Sequence, residues 1–163
     1  SGQTILLDGA HNPDGCAVLG RHIELHFGHL KPAMILGMLG GKNWTAMCQI
    51  LAPLASRVNV VPVASRRTSS TAELAAACRR ANPAAPVVEH PHLRAALRAT
   101  HREPLVVIPG SIYLAGEALE ALALAPSKAS GERLLNEWTG QPPEPVMGAG
   151  STGKIRRHPE GKA

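Results

Sequence analysis

Five short apolar runs constrain this chain more than any other feature. Each ends in a polar or glycine-containing loop, and each is followed by a stretch of helical character. The runs are Thr4–Leu7, Ala33–Met38, Arg57–Val63, Val87–Val88 and Leu105–Ile108. The helices expected after them are Asp14–His29, Trp44–Leu54, Ala72–Ala81, Pro91–Thr100 and Ser111–Leu124. Strands and helices that alternate on short connections predict an α/β fold with a doubly wound, mainly parallel sheet of five to six strands flanked by helices. The nearly continuous apolar character of the runs agrees, because parallel strands are buried on both faces.

The helix boundaries have local causes. Pro13 suits a first helical turn, where no N–H is needed. Ser69-Ser70-Thr71 supplies N-caps for the third helix, which Asn82-Pro83 closes. In the first helix Ala17, Val18, His22, Ile23, Leu25 and His26 fall at amphipathic spacing. In the second, Met47, Ile50, Leu51 and Leu54 form the expected inward stripe.

In a sheet of this kind all strand-to-helix loops lie on one edge, so their side chains can be considered together. The first loop brings Asp8, His11 and Asn12, and the second Gly40, Gly41, Lys42 and Asn43. The third brings Ser65, Arg66, Arg67 and Thr68, the fourth His90 and His92, and the fifth Gly110, Ser111 and Tyr113. The opposite edge carries Lys31, Arg57, Asn82 and Glu103, which look like ordinary solvated connections. This asymmetry predicts a binding site on the first rim. Each group also has a purely structural role open to it. Asp8 either serves a ligand or caps and braces its own loop, and Ser111 suits the N-cap of the fifth helix. Lys42, after two glycines at a strand end, is placed to meet a carboxylate or phosphate, or is simply solvated. Arg66 and Arg67 either hold an anion or are exposed.

Composition excludes some classes. The formal charge of +5 over 163 residues would suit an anionic partner, yet much of the excess is Lys154, Arg156, Arg157 and Lys162 near the C-terminus. Aromatic residues are 2% of the chain, too few to stack nucleic-acid bases, so no nucleic-acid partner is expected. No apolar run is long enough to span a bilayer, so no membrane partner is expected either. Cys16, Cys48 and Cys78 show no CxxC pairing and suit buried thiols in a reduced, cytoplasmic protein. No HxH or HExxH-type cluster is backed by a carboxylate at ligand spacing, His90-Pro91-His92 being the nearest, and no metal site is expected. Gly148–Lys154 nearly matches a phosphate-binding P-loop, but Ile155 replaces the hydroxyl and no strand precedes it, so the match is rejected.

The loop sequence DGAHNPDG (Asp8–Gly15) resembles the C-terminal domain signature of folylpolyglutamate and dihydrofolate synthases, members of the Mur ligase family. ILGMLGGKNW (Ile35–Trp44) and VIPGSIYLAGEAL (Val107–Leu119) resemble the family's next two landmarks, in the same order. The resemblance covers Thr4 to about Leu124 and implies a Rossmann-like Mur ligase C-terminal domain over residues 1–125. A short helical extension over 126–140 and a flexible, basic, Pro/Gly-rich tail over 141–163 are expected beyond it.

It further implies an ATP-dependent ligase in which a folate or dihydropteroate carboxylate becomes an acyl phosphate that the amine of L-glutamate attacks. Asp8, His11 and Asn12 would serve the nucleotide. His11, Lys42, Ser111 and Tyr113 would serve glutamate. ATP and Mg²⁺ would be held mainly by an N-terminal P-loop domain outside this chain, which is therefore expected to have no catalytic residue and no activity alone. GGKN stands where the family carries a DKD-like run, so the two acidic neighbours of Lys42 are missing. A stand-alone nucleotide- or amino-acid-binding module and another Mur-type amide ligase domain are the alternatives. LDGAHNP favours the folate branch over the tyrosine-containing motif of the cell-wall enzymes.

Overall fold

The structure, a computed structural model, describes residues 2–41 and 43–124. Lys42, the expected helical extension, the expected tail and the near-P-loop lie outside the described residues.

Strands β1 (Thr4–Leu7), β2 (Ala33–Leu36), β3 (Arg57–Val60), β4 (Val87–Glu89) and β5 (Leu105–Ile108) form one sheet in the order β1-β5-β2-β3-β4. Every pairing is parallel. Between the strands run α1 (Pro13–Phe27), α2 (Trp44–Leu51), α3 (Thr71–Ala81) and α4 (Leu93–Ala99), and α5 (Ile112–Ala121) follows β5. Strands β2 and β3 stop sooner than expected, because the chain beyond Leu36 and Val60 leaves the ladder to build the rim. Pro53 falls in a 3₁₀ turn, Ala52–Leu54, that ends α2 before Leu54.

Successive residues of the central strands face opposite layers. Met34, Leu36, Val58, Val60, Leu105 and Val107 pack beneath α1, α2 and α3. Ala33, Ile35, Val106 and Ile108 pack beneath α4 and α5, against Leu93, Ala96, Leu114 and Ala118. All four residues of β2 and of β5 are buried. Each fully buried Leu, Ile or Met contributes roughly 1.5–3 kcal/mol, so these two strands anchor the fold. The edge strands β1 and β4 are only partly buried.

The inward stripe of α1 differs from the expected one. Its buried residues are Cys16, Leu19, Gly20 and Ile23, whereas Val18 and Leu25 are 59% and 79% exposed and His22 and His26 also face outward. At Gly20 smallness is needed because the helix lies close to its neighbour: a Cβ there would stand 3.3 Å from Leu54 Cδ1. The three thiols are all free and buried. Burial and the Asp8 carboxylate push Cys16 up to about 11. Cys48 and Cys78 lie 3.5 Å apart, and that hydrogen bond, with burial, raises the Cys48 thiol well above its ordinary range.

The edge opposite the rim is not simply solvated. Asn82 Nδ2 donates to the carbonyls of Ala52 and Ala55 at 2.7 and 3.3 Å, and Arg57 pairs with Glu103 at 3.6 Å. Their side chains hold the connections together. Among the described residues no helix is long and apolar enough to cross a membrane.

Candidate functional site

The topology itself creates a crevice. From β1 the chain passes to α1 on one face of the sheet, and from the adjacent β5 it passes to α5 on the other. Loops that part in this way leave an opening at the strands' carboxyl ends. A cleft of about 190 Å³ lies there, lined by His11, Leu39, Arg67, Gly110, Ser111, Ile112 and Tyr113. Its walls therefore come from the loops after β1, β2, β3 and β5.

Backbone hydrogen bonds lace these loops together. Gly110 N–H donates to Ala10 O at 2.8 Å, and Gly40 N–H to Arg67 O at 2.6 Å. Ser69 N–H donates to Met38 O at 2.8 Å, and Leu39 and Thr68 form an isolated antiparallel bridge. Two glycines permit this closeness. Gly110 has φ +107°, and a Cβ on it would stand 3.0 Å from Gly37 O. A Cβ on Gly37 would stand 2.9 Å from Val61 O. Neither position accepts a side chain without displacing backbone.

His11, Ser111 and Tyr113 are brought together in the cleft. His11 Nδ1 lies 2.9 Å from Gly9 O. A carbonyl only accepts, so the proton sits on Nδ1 and Nε2 of the exposed ring is left for another partner. Ser111 is buried, and its Oγ accepts from Tyr113 N–H at 3.2 Å as the N-cap of α5. The positive end of the α5 dipole thus opens onto the cleft, which suits an anion. Ile112 and Tyr113 are 65% and 59% exposed, an apolar and aromatic wall facing solvent.

Asp8 and Asn12 stand apart from this cleft. Asp8 Oδ1 accepts from Ala10 N–H at 2.7 Å, so its carboxylate braces its own turn. It lines a second cleft of about 410 Å³ beside α1, with Leu6, Ala10, Gly15, Val18, Leu19 and His22. Asn12 caps α1, accepting from Gly15 N–H at 2.7 Å. His90 and His92 serve the β4 end of the rim. His90 Nε2 donates to the buried Asn59 Oδ1 at 2.9 Å, while Asn59 Nδ2 donates to Met34 O. Burial and the nearby Arg57 hold the His90 ring below its ordinary pKa. His92 caps α4. Arg66 is exposed and outside the cleft, whereas Arg67 enters it. Sequence alone did not separate these two neighbours, because the distinction depends on the Leu39–Thr68 bridge.

A metal does not fit this donor set. Among the described residues no three His, Cys, Asp or Glu side chains converge on a point that could hold an ion.

Comparison with known proteins places the fold in a family. No curated protein matches the chain. Among solved structures it is similar to the folylpolyglutamate synthase of Thermotoga maritima, at 30% identity and a TM-score of 0.66, over 74% of this chain and 28% of that one. It is also similar to the folylpolyglutamate synthase of Mycobacterium tuberculosis complexed with ADP and AMPPCP, at 26% identity and a TM-score of 0.62, over 72% and 29%. A bifunctional folylpolyglutamate synthase/dihydrofolate synthase from Yersinia pestis, complexed with AMPPNP and Mn ion, shares the fold at 20% identity and a TM-score of 0.62, over 76% and 30%. The chain spans less than a third of the length of these proteins. The family model described as "Mur ligase, glutamate ligase domain" matches residues 1–112. With that match over most of its length and the five-stranded parallel sheet beneath it, the chain belongs to the Mur ligase glutamate ligase domain family.

Proposed function

We propose that this chain is the glutamate-accepting domain of a cytoplasmic, ATP-dependent ligase that joins L-glutamate to a folate or dihydropteroate carboxylate. The observation that carries this reading is the cleft at the β1/β5 crevice, with a helix N-terminus, a free imidazole nitrogen, an arginine and, among the described residues, no acidic side chain in its lining. Such walls suit a small anionic ligand. The cleft's volume lies below the roughly 300–1,000 Å³ of sites for drug-sized molecules, which matches one amino acid better than a whole folate.

In the proposed reaction the folate or dihydropteroate carboxylate, the acyl donor, takes the γ-phosphate of ATP and ADP is released. The glutamate amine then attacks the acyl carbon, and inorganic phosphate leaves. The domain's part is positioning: it fixes glutamate so that amine and acyl carbon meet in line, which removes much of the entropic barrier. Ser111, Tyr113 and the α5 N-terminus would hold one carboxylate, and Lys42 would contribute a point charge to glutamate binding. His11, on the loop nearest β5, would stand between glutamate and nucleotide. Asp8 and Asn12 would support the nucleotide side by holding the His11 loop in shape, through the bonds to Ala10 and Gly15. Mg²⁺ would belong to a P-loop domain acting with this one; among the described residues no three His, Cys, Asp or Glu side chains gather to hold it.

Calorimetric titration of the chain with L-glutamate and with ATP–Mg²⁺, repeated on Lys42→Ala, tests the assignment. Glutamate binding that is lost in the variant is the expected result. ADP release by the isolated chain in the presence of ATP, Mg²⁺, folate and glutamate would sink the proposal that it acts only with a P-loop domain.

A further inference from the structure

Arg67 is the cation that the described structure places in the cleft wall, and nothing described neutralises it. The ion pairs of the described residues are Arg57–Glu103 and Arg79–Glu89, and neither involves Arg67. Its backbone is nevertheless firmly held. Arg67 N–H donates to Ser65 Oγ at 3.2 Å, and Arg67 O accepts from Gly40 N–H at 2.6 Å. On either side, Val63 N–H donates to Thr68 Oγ1 at 2.9 Å and Ala64 N–H to Glu117 Oε1 at 2.7 Å. Glu117 lies on α5, so the helix that opens onto the cleft also braces the loop that carries the arginine. An unpaired guanidinium on a loop tied at both ends is pre-organised for a ligand.

The position of Arg67 indicates which ligand group it meets. In the sheet order, β3 lies three strand spacings from β1, roughly 14 Å, and its loop reaches back over β2 through the Leu39–Thr68 bridge. Arg67 therefore faces the cleft from the side away from His11, where the reacting amine would sit. The α5 N-terminus already supplies one anion position on the near side. The arginine is left for a second.

We propose that Arg67 binds the side-chain carboxylate of the incoming amino acid and so determines the preference for glutamate over its uncharged amide. This rests on the glutamate-accepting function proposed above. A guanidinium offers only donors, so an amide that presents its NH₂ group meets two donors facing each other, and even its oxygen lacks the carboxylate's charge.

The test compares ADP formation by the intact ligase with L-glutamate and with L-glutamine as acceptor, in the natural protein and in Arg67→Gln and Arg67→Lys. In Arg67→Gln, kcat/KM for glutamate should fall roughly 10- to 100-fold, mainly through KM, with KM for ATP and use of glutamine unchanged. Arg67→Lys should restore part of the loss. An unchanged ratio of glutamate to glutamine in Arg67→Gln would overturn the assignment. A natural protein that uses neither amino acid would instead bring down the underlying function, and the two failures are distinct.

Discussion

The two edges of the sheet use their polar residues differently. On the edge where the strands begin, side chains are committed to the protein itself: Gln3 Nε2 to the carbonyls of Thr100 and Glu103, Asn82 to those of Ala52 and Ala55, and Arg57 to Glu103. On the edge where the strands end, the loops are tied mostly by backbone bonds, and His11, Arg67 and Tyr113 are left facing solvent around a cleft. A polar side chain that already has its partners contributes to stability, whereas one held in place without partners is available to a ligand. The edges differ in that commitment as well as in how many polar residues they carry.

The comparison breaks if substitutions on the two edges have the same consequences. The largest effect is expected at Gly37, where a Cβ would press on Val61 O and Val63 Cγ2. Gly37→Val should lose about 3 kcal/mol of stability in denaturant unfolding and glutamate binding with it, because the rim cannot close. On the other edge, Asn82→Ala removes the donor to two carbonyls. It should cost about 1–2 kcal/mol of unfolding free energy and leave the glutamate Kd unchanged by calorimetry. A changed Kd would mean that the edges are not independent.

The converse holds for His11. His11→Ala should weaken glutamate binding about 10-fold while shifting stability by less than about 0.5 kcal/mol, as for an exposed residue. The smallest effect is the titration of His90. Its folded pKa lies below the unfolded value of about 6.5, so the unfolded chain takes up the proton first. Stability should therefore decline as pH falls below about 6.5 and level off once the folded-state pKa is passed. This part of the pH profile should flatten in His90→Gln.

How much of this was legible in the chain varied with the range of the interactions. The limits of β1 and β5, Thr4–Leu7 and Leu105–Ile108, follow directly from their apolar runs and the polar residues beside them. The caps Ser70 and Ser111 act within three residues of themselves and are equally visible, whereas α1 is capped by Asn12 and not by Asp8. Of the buried stripe of α1, only Ile23 is legible in the amphipathic spacing. Gly20 is small, and only the closeness of α2 and its 3₁₀ turn shows why smallness is needed there.

Local sequence by itself determined the alternation of strands and helices, the parallel α/β class, and the gathering of His11, Ser111 and Tyr113 onto one rim, because hydrophobic period and capping chemistry operate over a few residues. Only the tertiary structure decided that β5 enters between β1 and β2, that Asp8 turns to its own loop, and that Arg67 rather than Arg66 meets the cleft. Those outcomes depend on hydrogen bonds between segments tens of residues apart, which no local pattern encodes.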